Sequence, residues 1–202
     1  MADYPIIFSA PMVCALLDGR KTMTRRIAWR ESKRQAGVFS DPKDREARPS
    51  PWQKVRPGDR LWVRENFARV GTTDPGFFVR QADYPDCASQ YGFDGVPPPK
   101  EVGYKWTPSI HMPRRLSRLT LIVTAAKIER LQAINKEDVI SEGVTERDGF
   151  PIKDVFAGWH EPFAALWCSL HGSDAWDANP EVVALSFRVV RGNIDSTEAL
   201  AA

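Results

Sequence analysis

Two runs of basic residues are the first feature with chemical content. Arg20, Lys21, Arg25, Arg26, Arg30, Lys33 and Arg34 crowd one stretch in which Glu31 is the only acid, and Arg114, Arg115 and Arg118 form a second group. Such density suits phosphate contact, although a charge run also serves as a solvated face. Trp62 and Arg64 fall on one side of an alternating stretch, an arrangement fit for stacking a base. A covering loop would instead remove Trp62 from use. Glu65 shares the other side with Leu61, Val63 and Phe67, where an acid needs a partner. His111, within Ser109-Ile110-His111-Met112-Pro113-Arg114, lines the same cleft or serves structure.

Metal chemistry is not expected. His111, His160 and His171 show no HxxxH or HExxH spacing, and Cys14, Cys87 and Cys168 form no CxxC pair. Strands are not followed by a glycine-rich phosphate loop, so dinucleotide and P-loop readings fall away and no cofactor is expected.

The elements that must position these residues follow from periodicity. Ser9 caps a short helix with Val13, Leu16 and Leu17 at helical spacing, and Gly19 ends it. Thr22 to Ile27 reads as a strand. Residues 30–58 are a polar excursion ending in the turn Arg56-Pro57-Gly58-Asp59. Arg60 to Phe67 alternates as one strand. Residues 71–108, rich in Gly, Pro and Asp, form a second long insertion, ordered if its aromatic residues pack down. Leu119 to Ile128 is a strand. Asn135 caps a helix through Glu142, closed by Gly143. A further helix, His160 to His171, turns Phe163, Leu166, Trp167 and Leu170 inward and ends at Gly172. Val182 to Val190 is a closing strand, and 192–202 reads as a disordered tail.

Strands this far apart, with few hairpin turns, predict an α+β fold rather than repeated βαβ units. A chain of 202 residues with 43% hydrophobic and 27% charged residues fits one domain over 1–191 with a real core. Net charge is only +2, so the chain as a whole is no magnet for nucleic acid. Apolar runs fall short of a membrane span and the N-terminus lacks a secretory pattern, so a cytoplasmic protein without membrane contact is expected.

Leu16-Leu17-Asp18-Gly19-Arg20-Lys21-Thr22-Met23-Thr24-Arg25-Arg26 resembles the signature of the ASCH family, a helix ending in G-x-K-T-x-T-x-R. Further segments fall in that family's order: Pro57-Gly58-Asp59-Arg60-Leu61, then Leu119 to Ile128, then Ser141-Glu142-Gly143, then Ser186-Phe187. The two insertions, with Lys105 to Pro113 and Trp176-Asp177-Ala178-Asn179-Pro180, are similar to a long ASCH form of phage and prophage-associated bacterial proteins.

The resemblance implies a PUA-like β-barrel with flanking helices, and a protein that recognises RNA or a modified nucleobase or nucleoside. One branch of the family hydrolyses the amide of N4-acetylcytidine with a Lys, a Thr and a Glu. Matched by motif, these fall on Lys21, Thr24 and Glu142 as catalytic residues. Substrate contacts are then expected from Arg20, Arg25, Arg26, Trp62, Arg64, Glu65, His111 and Arg114. A threonine hydroxyl needs a base to become a nucleophile, and an amine can be that base once desolvated. Glu142 would protonate the leaving amine or orient the amide. Residues three apart in a strand point to opposite faces, so Lys21 must lie in the turn before the strand or a bulge must intervene. A binding module without chemistry, and more weakly a ribonuclease, are the alternatives. An amidohydrolase should enclose its substrate. A binder should show an open basic groove with strong salt dependence.

Overall fold

The computed structural model describes residues 1–31, 47–70, 77–84, 105–144 and 158–196. The chain folds as mixed α+β, with a multi-stranded sheet and few helices. It forms two compact units, each assembled from separated pieces of chain.

The first unit comprises residues 1–21, 59–122 and 188–202. Strand β1 (Asp3–Ile7) opens it, followed by helix α1 (Ala10–Leu17). The helix buries Met12, Val13, Ala15 and Leu16 along one face, with Pro11 in its first turn. Ser9 sits at the N-cap, but its side chain makes no capping bond. Gly19 follows the helix at φ +73°, where a side chain would be strained. The alternating stretch proves to be two strands, β5 (Arg60–Arg64) and β6 (Phe67–Val70), broken at Glu65 and Asn66. β1 pairs parallel to β5, Ile6 opposite Val63, and β5 pairs antiparallel to β8 (Leu119–Arg130), Leu61 opposite Leu121. β6 pairs with β7 (Phe77–Arg80), the second strand of the pair lying inside the second insertion. Phe77, Tyr84 and Trp106 pack on buried Ala68 and Val79, so the aromatic packing that the insertion required is partly seen. Tyr91, Phe93 and Tyr104 lie outside the described residues.

The second unit comprises residues 22–58 and 123–187. β2 (Met23–Ile27) pairs antiparallel to β9 (Glu181–Arg191), Thr24 opposite Leu185. The first insertion contributes β3 (Trp29–Glu31) and β4 (Ala47–Pro49), a short antiparallel ladder, and then one turn of 3-10 helix, Pro51–Lys54. Helix α2 (Lys136–Ser141) is capped as expected, Asn135 accepting from the Asp138 amide at 2.7 Å. Helix α3 (Glu161–His171) buries Phe163, Leu166 and Trp167. Leu170 is exposed, contrary to the helical pattern, because it falls at the helix end beyond the buried stripe.

Strands β8 and β9 run from one unit into the other along the chain. Hydrogen bonding orders the strands β1-β5-β8 in the first unit and β8-β9-β2 in the second. Among the described residues this order is linear, so the closed barrel expected from the resemblance is not seen. The tail expected to be disordered is placed as far as Ser196. Ile194 is 0% exposed, and an apolar side chain so covered anchors the backbone around it. Among the described residues no helix is long and apolar enough to cross a membrane.

Candidate functional site

In the second unit the site is built on β2. Alternation sends Thr24 and Arg26 to one face and Met23, Arg25 and Ile27 to the other. The Thr22 amide donates to the Ser141 carbonyl at 2.8 Å, and the Thr22 carbonyl accepts from the Phe187 amide at 2.9 Å. The start of β2 is thereby tied to the end of α2 and to β9. Glu142 is the C-cap of α2, and Gly143 at φ +73° lets the chain turn away after it.

Arg25 has a fully buried guanidinium that meets three carboxylates. It donates to Glu129 at 2.8 Å, to Glu142 at 3.3 Å and to Asp138. Its guanidinium also lies over the Phe163 ring, 5.9 Å from the centroid. A carboxylate at a helix C-terminus opposes the helix dipole, and Arg25 supplies the compensating charge for Glu142. Arg25 was expected to contact substrate. The structure gives it protein partners, Glu129, Asp138 and Glu142.

Arg26 lies over Trp52 at 5.8 Å. Burial holds its guanidinium below the ordinary value, opposed by the charge of Glu142. Burial, with a smaller effect from Arg26, likewise holds the His171 imidazole down. Thr24 is 4% exposed and Glu142 is 2% exposed.

In the first unit, Lys21 is 2% exposed. Its amide donates to the Ala15 carbonyl at 3.0 Å, and its ammonium lies over Phe8 at 5.5 Å from the centroid. Lys21 lies in the turn after Gly19, ahead of the strand that starts at Met23. Strand alternation therefore does not govern its direction. Lys21 belongs to the first unit, and Thr24 and Glu142 to the second.

The other expected contacts divide by what already holds them. Arg20 donates to neighbouring Asp18 at 3.2 Å on the surface. Arg64 stacks over Trp62 at 5.2 Å, so one face of that indole is occupied from within. Glu65 is buried and accepts two bonds of 2.8 Å from Arg118, with Arg80 at 3.9 Å. Burial would lower the Arg118 value, but Glu65 and Asp83 outweigh it and raise it. Arg114 binds Asp195 and Asp3 at 2.6 Å each, which raises its value, and Arg60 clasps Asp3 at 2.9 Å. Glu65 and Arg114 are thus both engaged by protein partners. His111 is exposed in a 3-10 turn.

Sequence reasoning missed Glu129, Asp138 and Trp52. Asp138 was visible only as a first-turn acid of α2, and nothing local joins Arg25 to residues more than a hundred positions away. The second unit also holds a cavity of about 340 Å³ whose lining includes Trp52, Arg56, Lys127 and Val183. Among the described residues no group of His, Cys, Asp and Glu could hold a metal ion. Comparison with family models, curated proteins and solved structures returned no match for this chain.

Proposed function

We propose that this protein is an ASCH-type protein of the PUA-like class that recognises a modified nucleobase or nucleoside and hydrolyses an amide on it, as an N4-acetylcytidine-type amidohydrolase does. The observation that carries this reading is the burial of Lys21, Thr24 and Glu142, each at a motif position and each at most 4% exposed. Ionisable side chains are seldom buried without a reason, and an amine out of water is easier to use as a base. In the chemistry that the resemblance implies, a lysine, matched by motif to Lys21, takes the hydroxyl proton of a threonine, matched to Thr24, whose Oγ bonds to the acyl carbon. The C–N bond breaks, the nucleobase amine leaves with that proton, and water then cleaves the threonine ester. Arg25 at 3.3 Å suits Glu142 to accept a hydrogen bond, so orienting the amide N–H is the favoured of its two roles.

The test is incubation with N4-acetylcytidine and related acylated nucleosides. Wild type should release the acid, and Lys21→Ala and Thr24→Ala should each lose about 10²- to 10⁴-fold in rate. A wild type that turns over none of them moves the protein to the second reading, non-catalytic binding of RNA or a modified base. That reading is favoured by the cavity lined by Trp52, Arg56 and Lys127. It requires affinity that falls steeply with salt.

A further inference from the structure

A separate cavity of about 200 Å³ lies within the second unit, lined by Gln132, Ile134, Trp159, His160 and Trp176. Three of its five lining residues are aromatic. The His160 ring stacks on Trp176 with centroids 5.5 Å apart and planes 5° from parallel, while Trp159 meets His160 edge-on at 85°. The floor is built, not incidental. Phe163 supports Trp176 from below at 6.3 Å, and Gln132 Nε2 donates to the Trp176 carbonyl at 2.9 Å. Asn179 Oδ1 accepts from the Gln132 amide at 2.9 Å, fixing the backbone that carries this side chain. Gly158 makes room for the His160 ring, since a Cβ there would lie 2.5 Å from its Cε1. Trp159 by contrast is 46% exposed, a large indole left at the rim.

Each wall argues for one ligand class. Aromatic faces take planar ring systems, and the volume is below the roughly 300–1,000 Å³ of pockets for larger molecules. With its nitrogen bound to Trp176, Gln132 offers its Oε1 as an acceptor for an exocyclic amine. An acidic side chain, which a bound organic cation would favour, is not among the lining residues. We infer that this cavity is a stacking subsite for one unpaired nucleobase bearing an exocyclic amine, with Trp159 as the outer stacking ring. The inference rests on the nucleobase-recognition reading above and adds to it a subsite for a base that undergoes no reaction.

The test is binding of a fluorescein-labelled oligocytidylate, measured by anisotropy, with no turnover in the readout. Failure of amide hydrolysis therefore leaves this result standing, and the reverse holds too. Wild type should bind, Trp159→Ala should bind about 10-fold more weakly, and Trp159→Phe should restore most of the loss. Gly158→Ala, which pushes the His160 ring from its seat, should weaken binding in a chain whose circular dichroism is unchanged. A central 5-iodocytidine, which keeps the exocyclic amine, should photocrosslink to Trp159 or His160. The subsite is overturned if wild type does not bind. It is also overturned if Trp159→Ala and Gly158→Ala bind as wild type does, or if tetramethylammonium displaces the oligonucleotide.

Discussion

Each unit encloses a charged cluster, and the two are built with opposite polarity. In the second unit a buried cation is central: Arg25 is wholly out of solvent, and Glu129, Asp138 and Glu142 surround it. In the first unit a buried anion is central: Glu65 is enclosed, with Arg118 and Arg80 beside it and Asp83 bound to Arg118. A buried charge is tolerated only when paired and hydrogen-bonded, so both clusters answer the same cost. Their difference lies in what they leave for chemistry. The Glu65 cluster closes on itself and, through Arg118, joins the chain just after β5 to Asp83, just beyond β7. The Arg25 cluster includes Glu142, a motif residue, and so couples the packing of the second unit to a residue proposed to touch substrate.

That contrast can be broken by removing the central charges. Arg25→Met leaves Glu129 and Asp138 with only the exposed Lys127 as a cation and takes the guanidinium from buried Glu142, and should cost about 3–5 kcal/mol of stability in a urea titration. A loss near that of a surface arginine would mean the cluster is solvated and not a packed centre. Glu65→Gln should cost less, about 1–3 kcal/mol, because Arg118 keeps Asp83 and is partly exposed. Equal losses at the two sites would erase the distinction drawn between them.

The smallest effect concerns the Asp3 network. Burial would raise its carboxyl value, but bonds from Arg60 and Arg114 outweigh this and hold it below the ordinary 3.8. A carboxylate depressed in the folded state contributes stability above its unfolded value and loses it as pH falls through the folded one. Asp3→Asn should therefore destabilise the protein at pH 5 and above. The gap from wild type should narrow as pH drops below 3.8. A constant gap down to pH 2 would show that the ion pairs are not its source.

Much of the fold was legible where periodicity and caps agree. Asn135 and Asp138, Gly143 and Gly172, and the inward face of α3 at Phe163, Leu166 and Trp167 follow from local chemistry alone. β1 was not visible because Pro5 sits within it and only Ile6 is buried, a pattern that a peripheral strand tolerates but does not announce. The alternation of Arg60 to Phe67 gave no sign of the break at Glu65, where the backbone amide turns to the Met112 sulfur at 3.3 Å. The β6–β7 hairpin was hidden because its second strand lies within a stretch dominated by Gly, Pro and Asp. For the site, the motif pointed to Lys21, Thr24 and Glu142, but their burial was not readable. Nor was the commitment of Arg25, Glu65 and Arg114 to protein partners, since each charged partner lies at least 53 residues away, apart from Arg80 beside Glu65.

The central claim is that Thr24 attacks an acylated nucleobase. Its most direct measurement is peptide mass spectrometry of the protein quenched in acid during turnover of N4-acetylcytidine. The account predicts a single acetyl group on the peptide carrying Thr24, absent from Thr24→Ala and unresolved into product in a slow-hydrolysing variant. Product formed at the wild-type rate by Thr24→Ala, or an acetyl group carried by Lys21 in place of Thr24, would contradict it.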